Sequence, residues 1–260
     1  MSQPLRVERL DRIATITLDR PDNGNAIDVG MAVALLEAAL ECADDRDVRC
    51  VILTGAGEMF CAGGDVKAFS LSDDVGALIE RITAPLHKAI ARFARMDKPL
   101  ITAINGAAAG AGFGLALLGD VAIAARSAKF AVAYGALGVS PDAGTSWLLP
   151  RLVGLRQAQR LALSAERIDA EEAMRIGLIT QMVDDERLMG VAQETAVQMA
   201  AMSASALQRT RALLHTSYSN SLETQLEREA ASIAAASREV DGREGIAAFI
   251  AKRKPTFRSN

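Results

Sequence analysis

Cysteine, histidine and aromatic residues are scarce in this chain, and neither sign of charge prevails. The three cysteines (Cys42, Cys50, Cys61) show no CxxC spacing and no even framework, which argues against a disulfide scaffold and fits a reducing, cytoplasmic setting. His87 and His215 are the only histidines, and neither lies near Cys61 in sequence, so Cys61 reads as packing and not as a paired nucleophile. With 29 basic against 32 acidic residues, a net charge of −3, bulk electrostatics give no hold on nucleic acid. The start, Met1-Ser2-Gln3-Pro4-Leu5-Arg6, lacks the basic and then apolar pattern of a signal peptide. The longest uncharged stretch, 99–119, is long enough to span a bilayer but contains Pro99, Asn105 and five glycines. It reads as a buried strand–loop–helix unit, and no membrane partner is expected.

What is present is bulk and periodicity. Half of the 260 residues are hydrophobic, enough for a large core without disulfides or metal. Leu5–Leu10 and Arg12–Asp19 read as a hairpin turning at Asp11. Ala32, Leu35, Leu36, Ala39 and Leu40 recur at helical spacing behind Asp28, a plausible cap. Val75, Leu78, Ile79, Ile82, Leu86, Ile90 and Phe93 give the cleanest helical stripe, with His87 on its solvated face. Cys50–Leu53, Leu100–Ile104 and Val121–Ala124 read as buried parallel strands. Strands alternating with helices imply an α/β core built of right-handed crossovers. Past about residue 186 the strand signal stops. The division expected is a core over 1–200 and a helical region over 201–260. No internal repeat is evident.

Two glycine-rich segments follow predicted strands: Phe60-Cys61-Ala62-Gly63-Gly64-Asp65-Val66-Lys67 and Asn105-Gly106-Ala107-Ala108-Ala109-Gly110-Ala111-Gly112-Phe113-Gly114. Such segments serve as packing turns. They also let a ligand approach backbone closely and leave free N–H groups for an anion or a developing oxyanion. The second reads G-x-G-x-G, not the dinucleotide G-x-G-x-x-G, and there is no phosphate-binding G-x-x-x-x-G-K-[ST].

These two segments, with Asp19-Arg20-Pro21 and Asn25-Ala26 before them and Glu244-Gly245, Phe249, Lys252-Arg253 and Phe257 after, resemble the crotonase (enoyl-CoA hydratase/isomerase) superfamily over nearly the whole chain. The resemblance implies a ββα spiral core and a helical C-terminal trimerisation region, in a homotrimer or a hexamer. It implies an acyl-coenzyme A thioester as substrate, with coenzyme A as part of that substrate and no permanently bound cofactor or metal. The thioester oxygen would be held by the N–H groups of Gly64 and Ala111. Ala62, Asp65, Lys67 and Tyr134 fall at substrate-binding positions; by themselves Asp65 also reads as a cap of a short helix or an ion-pair partner, Lys67 as a surface residue and Tyr134 as a core aromatic. Phe249 and Lys252 match residues that touch coenzyme A, often from the neighbouring subunit.

The reaction depends on carboxylates. Family hydratases use two glutamates, which fall here at Gly114 and Tyr134, so water addition lacks its acid and base. One acid remains, Asp142, in Val139-Ser140-Pro141-Asp142-Ala143-Gly144-Thr145. By itself Asp142 reads as a helix cap in good turn chemistry. The segment also resembles that of ring-1,2-epoxyphenylacetyl-CoA isomerases and related enoyl-CoA isomerases, where this aspartate is catalytic. One base suffices for a 1,3-proton shift, so the expectation is an isomerase with Asp142 as proton shuttle. The alternatives are a hydratase with atypical groups, a dehalogenase using the aspartate as nucleophile, and a non-catalytic acyl-CoA-binding or RNA-associated relative. Tyr134, Trp147 and Phe113 are the aromatics expected for a ring-stacking pocket.

Overall fold

The computed structural model describes residues 3–257. The chain enters through a hairpin of β1 (Leu5–Leu10) and β2 (Ile13–Leu18) with Leu10 opposite Ile13. Its loop residues Asp11 and Arg12 have φ of 49° and 67°, the left-handed pair that a two-residue hairpin turn requires. Asp28 caps α1 (Val29–Asp44) by accepting from Met31 N at 2.8 Å. Then come β3 (Cys50–Gly55), β4 (Met59–Cys61), α2 (Val66–Ser70) and α3 (Val75–Arg95). Next are β5 (Leu100–Ile104), β6 (Ala107–Ala109), α4 (Ala111–Ala116), β7 (Val121–Ala125) and β8 (Lys129–Ala131). The middle of the chain ends with α5 (Thr145–Ser164), β9 (Arg167–Asp169), α6 (Ala170–Arg175) and β10 (Gln181–Val183).

The strands form two sheets. The larger has the order β1-β2-β3-β5-β7-β10, parallel from β2 onward. The smaller has the order β4-β6-β8-β9, with β4, β6 and β8 parallel. After the hairpin the chain repeats one move: a strand in the larger sheet, a short strand in the smaller, then helix. This ββα spiral is a repeat of structure with no repeat of sequence behind it. It also corrects the reading of the two glycine-rich segments as turns. Phe60 and Cys61 lie in β4, and Ala107–Ala109 form β6. Strands of three residues are too short to show a period-2 pattern.

Four helices follow: α7 (Leu188–Ala200), α8 (Ala204–Ser217), α9 (Leu222–Arg238) and α10 (Val240–Ile250). Leu188, Ala192 and Ala196 of α7 bury against Ile13, Ile52, Ile101 and Ile123 of the larger sheet. Arg211, only 8% exposed, ties α8 to the core: it donates to Phe93 O and Met96 O at the end of α3 and pairs with Asp120 at 2.8 Å. No residue of α9 is buried. Met1 and Ser2 of the N-terminal segment, and residues 258–260 of the expected helical region, lie outside the described residues. Stretch 99–119 forms β5, β6 and α4, and no helix among the described residues is long and apolar enough to cross a membrane.

Candidate functional site

Three parallel strands of the smaller sheet, β4, β6 and β8, end side by side, and the chain just past each end reaches one cavity of about 350 Å3. Gly64 lies past β4, Ala111 past β6 and Tyr134 past β8, and all three line it. Carboxyl ends of parallel strands are where open α/β sheets place ligands, because loop backbone and helix N-termini converge there.

The first two loops touch backbone to backbone. Gly63 has φ of 97°, and a Cβ there would come within 2.7 Å of Ala109 O. Gly110, with φ of 52°, opens α4, so Ala111 carries one of the N–H groups that a helix start leaves free. Among the described residues, neither Gly64 N nor Ala111 N donates to a protein oxygen. The first loop is pinned from below. Ile27 N donates to Gly63 O at 2.7 Å, and Asp65 N donates to Ile27 O at 3.1 Å. Asn25, fully buried with φ of 55°, donates to Ala56 O, Met59 O and Phe60 O and accepts from Arg20 N. Arg20 donates to Ala26 O at 2.7 Å and reaches Asp65 at 3.3 Å. The Asp19-Arg20-Pro21 and Asn25-Ala26 residues thus form the footing of the loop that carries Gly64.

Asp142 lies at the cavity wall with its side chain 28% exposed, the one carboxylate lining the cavity among the described residues. It does not cap α5. Gly144 is the N-cap and bonds through no side chain, and Thr145 N donates to the backbone oxygen of Asp142. The carboxylate is instead held by side chains. Tyr134 Oη donates to Oδ1, and His87 Nε2 stands 3.6 Å from Oδ2. Burial and the neighbouring Asp142 push the Tyr134 phenol well above its ordinary range, so it remains a donor. His87 is 51% exposed, as its place on a solvated helix face predicts, but one edge of its ring faces Asp142, which the linear sequence gives no sign of. The cavity's remaining wall is largely apolar, with Ile27, Phe69, Ile79, Ile82 and Leu86 among its residues, and it also carries the hydroxyls of Thr83 and Ser140. The helical stripe of α3 announces Ile82 and Leu86 as core; that part of it faces a cavity depends on how α3 docks.

Other expected site residues lie elsewhere or are already engaged. Ala62 lines the cavity. Asp65 does not: its carboxylate caps α2 by accepting from Ala68 N at 3.1 Å and pairs with Arg20, the cap and ion pair that its place in the sequence also allows. Lys67 is exposed on α2 and is absent from the cavity wall. Phe249 is 85% exposed on α10 and Lys252 is exposed just beyond it; neither lines the cavity. Phe113 is buried in the core and Trp147 stacks on Arg151 at 3.9 Å, so of the three expected aromatics only Tyr134 reaches the cavity, joined by Phe69. Burial pushes the Cys61 thiol up to about 12, which keeps it protonated and inert at neutral pH. At Gly114 a Cβ would sit 2.5 Å from Ala143 O and 2.8 Å from Ala143 Cβ, so the first hydratase glutamate has no room here.

A ββα spiral whose adjacent strand ends offer two free N–H groups over an apolar cavity is the architecture of the crotonase superfamily. The chain matches the enoyl-CoA hydratase/isomerase family over residues 8–260 and belongs to it. It is 42% identical over 250 residues to the 1,2-epoxyphenylacetyl-CoA isomerase of Escherichia coli K12, covering 94% of each chain. It is 34% identical over 254 residues to the 2,3-dehydroadipyl-CoA hydratase of the same organism, covering 98% of each. Among solved structures it resembles an enoyl-CoA hydratase from Polaromonas sp. JS666 with a TM-score of 0.93 and 32% identity, over 98% of this chain and 99% of that one. Relatives of both reaction types therefore share this fold, and the chain is an enzyme of the crotonase superfamily.

Proposed function

We propose that the chain is an acyl-CoA isomerase that shifts a double bond through a thioester enolate, with Asp142 as the proton carrier. The observation that carries this reading is the cavity's lone carboxylate: Asp142 is free of backbone capping and held at Oδ1 by Tyr134. In this scheme the N–H groups of Gly64 and Ala111 bind the thioester oxygen of a 3-enoyl-CoA. Asp142 takes a proton from Cα, and the C–H electron pair moves into the enolate. Negative charge grows on the oxygen and strengthens both hydrogen bonds, so the donors favour the transition state over bound substrate. The enolate then takes the proton back at Cγ, the double bond moves to C2–C3, and Asp142 is again a carboxylate. Apolar walls keep water from the enolate. Water addition needs a second acid–base group, and neither Gly114 nor the neutral Tyr134 supplies a carboxylate.

A ring epoxide as substrate is a second reading, favoured by the 42% identity to the epoxyphenylacetyl-CoA isomerase. In either case the substrate is a coenzyme A thioester and no resident cofactor is required. Lys67 of one subunit, with Phe249 and Lys252 of a neighbour, is suited to the coenzyme A moiety: lysines supply point charges to phosphate. We place the enzyme in the cytoplasm.

The test is a paired assay with 3-enoyl-CoA and 2-enoyl-CoA. Wild type should convert the 3-enoyl ester alone, and Asp142→Asn should lose about 10²- to 10⁴-fold in kcat while still binding acyl-CoA. Hydration of the 2-enoyl ester that survives in the variant would overturn the proposal.

A further inference from the structure

The carboxylate assigned to the proton shuttle is not sealed from solvent. His87 Nε2 is 3.6 Å from Asp142 Oδ2, the oxygen that Tyr134 leaves free. Ala143 N donates to the same Nε2 at 3.4 Å, a long bond that holds this nitrogen beside Oδ2 and opens when Nε2 takes a proton from Asp142. His87 and Asp142 also belong to different spaces. Asp142 lines the substrate cavity; His87 does not, but lines a separate cavity of about 320 Å3 with Arg95, Gly144, Trp147 and His215. With half of its side chain exposed, His87 bridges the inner carboxylate and bulk water.

We infer that His87 is a proton relay that exchanges the proton held by Asp142 with solvent during the lifetime of the enolate. This inference rests on Asp142 being the base of the proposed reaction. The step balances without any further reagent. The Asp142 carboxylic acid, formed when Cα loses its proton, passes that proton from Oδ2 to Nε2, leaving a carboxylate and an imidazolium. The half-exposed ring turns, releases that same Nε2 proton to water, takes a solvent proton at Nε2 and returns it to Asp142, from which it reaches Cγ. At 3.6 Å the pair is too long for transfer as it stands, so the relay requires the half-exposed imidazole to turn from Ala143 N toward Oδ2. The same relay gives the site a second activity: exchange of the Cα proton of a saturated acyl-CoA thioester with solvent, since that reaction needs only the base, the oxyanion donors and a proton source. A sealed shuttle would return the same proton and exchange nothing.

The experiment is turnover of 3-enoyl-CoA in D2O, with deuterium per product read by mass spectrometry at partial conversion. Wild type should place solvent deuterium at Cγ. His87→Gln, whose side-chain oxygen can still accept from Ala143 N, should lower deuterium per turnover about tenfold or more. In His87→Ala, added imidazole should restore exchange, which a merely structural role of the ring would not permit. Products free of deuterium in wild type, or equal deuterium per turnover in both proteins, would overturn the relay while leaving the isomerase reading intact. If wild type does not convert 3-enoyl-CoA, the isomerase reading fails. The relay is then decided by Cα exchange of a saturated acyl-CoA: His87-dependent exchange upholds it, and none overturns it.

Discussion

At the scale of single residues, Gly114 and Ala111 bear most directly on the proposed chemistry. Gly114 stands where a hydratase would carry a glutamate, and Ala143 O and Cβ fill the space that the glutamate's Cβ would need. Ala143 is fully buried with φ of 51°, and it links Asp142 to the N-cap of α5. A side chain at 114 would therefore push on the turn that presents Asp142. Gly114→Glu is expected to destabilise the fold by about 1–3 kcal/mol, the usual cost of overpacking a well-filled core. The readouts are thermal unfolding and a paired assay: Tm should fall by several degrees, isomerisation should weaken, and no hydration should appear. Unchanged Tm with new hydratase activity would show that the loop accommodates the acid after all. Ala111 raises a milder point. Alanine keeps the N–H that glycine would supply and suits the first turn of α4, so the substitution leaves the donor in place.

At the scale of elements, two polar side chains hold the parts together. Asn25 anchors the loop past β4 from beneath, and three carbonyls share its amide. Arg211 anchors α8 from the side by meeting carbonyls at the C-terminus of α3, where a cation also suits the helix dipole. Asp120 completes the arrangement: it accepts from Arg211 and from Leu100 N at 2.7 Å, joining α8 to the start of β5. Arg211 is buried and Asp120 is not, so removing the arginine leaves mainly the carbonyls of α3 without their donor. Arg211→Met should cost about 1–3 kcal/mol in denaturant unfolding, while Arg211→Met combined with Asp120→Asn should cost less than the sum of the two single changes. Additive losses would show that the contact is incidental.

At the scale of the whole molecule, α9 and α10 are unfinished surfaces. Leu222, Leu226 and Ile233 of α9 are 69%, 53% and 72% exposed, and Ile246, Phe249 and Ile250 of α10 are 54%, 85% and 76% exposed. A soluble monomer seldom leaves so much apolar surface open along two adjacent helices. The family resemblance supplies the expectation of a homotrimer or a hexamer, with Phe249 and Lys252 delivered to a neighbour's coenzyme A. Sedimentation equilibrium should give three or six chains. Ile233→Glu should yield smaller species with a raised KM for acyl-CoA and a smaller change in kcat. A wild-type monomer of full activity would remove both the assembly and the shared site.

The sequence by itself determined the elements with strong local signals. The Asp28 cap, the long stripe of α3, the strands β3, β5 and β7 and the family motifs are all legible, because period, capping and motif chemistry are local properties. Gly114 and Tyr134, where the resemblance expects the two hydratase glutamates, are visible as non-carboxylates in the same way. Only the tertiary structure decided that Asp142 does not cap α5, since a capping and a free carboxylate look alike in sequence and differ in whether a backbone N–H faces the side chain. It also decided that Asp65 is tied to Arg20 and the start of α2, and that the short strands β4 and β6 bring Gly64 and Ala111 past adjacent strand ends. His87 and Asp142 are 55 positions apart in the chain. No periodicity relates them, and they meet because α3 packs beside the turn that opens α5.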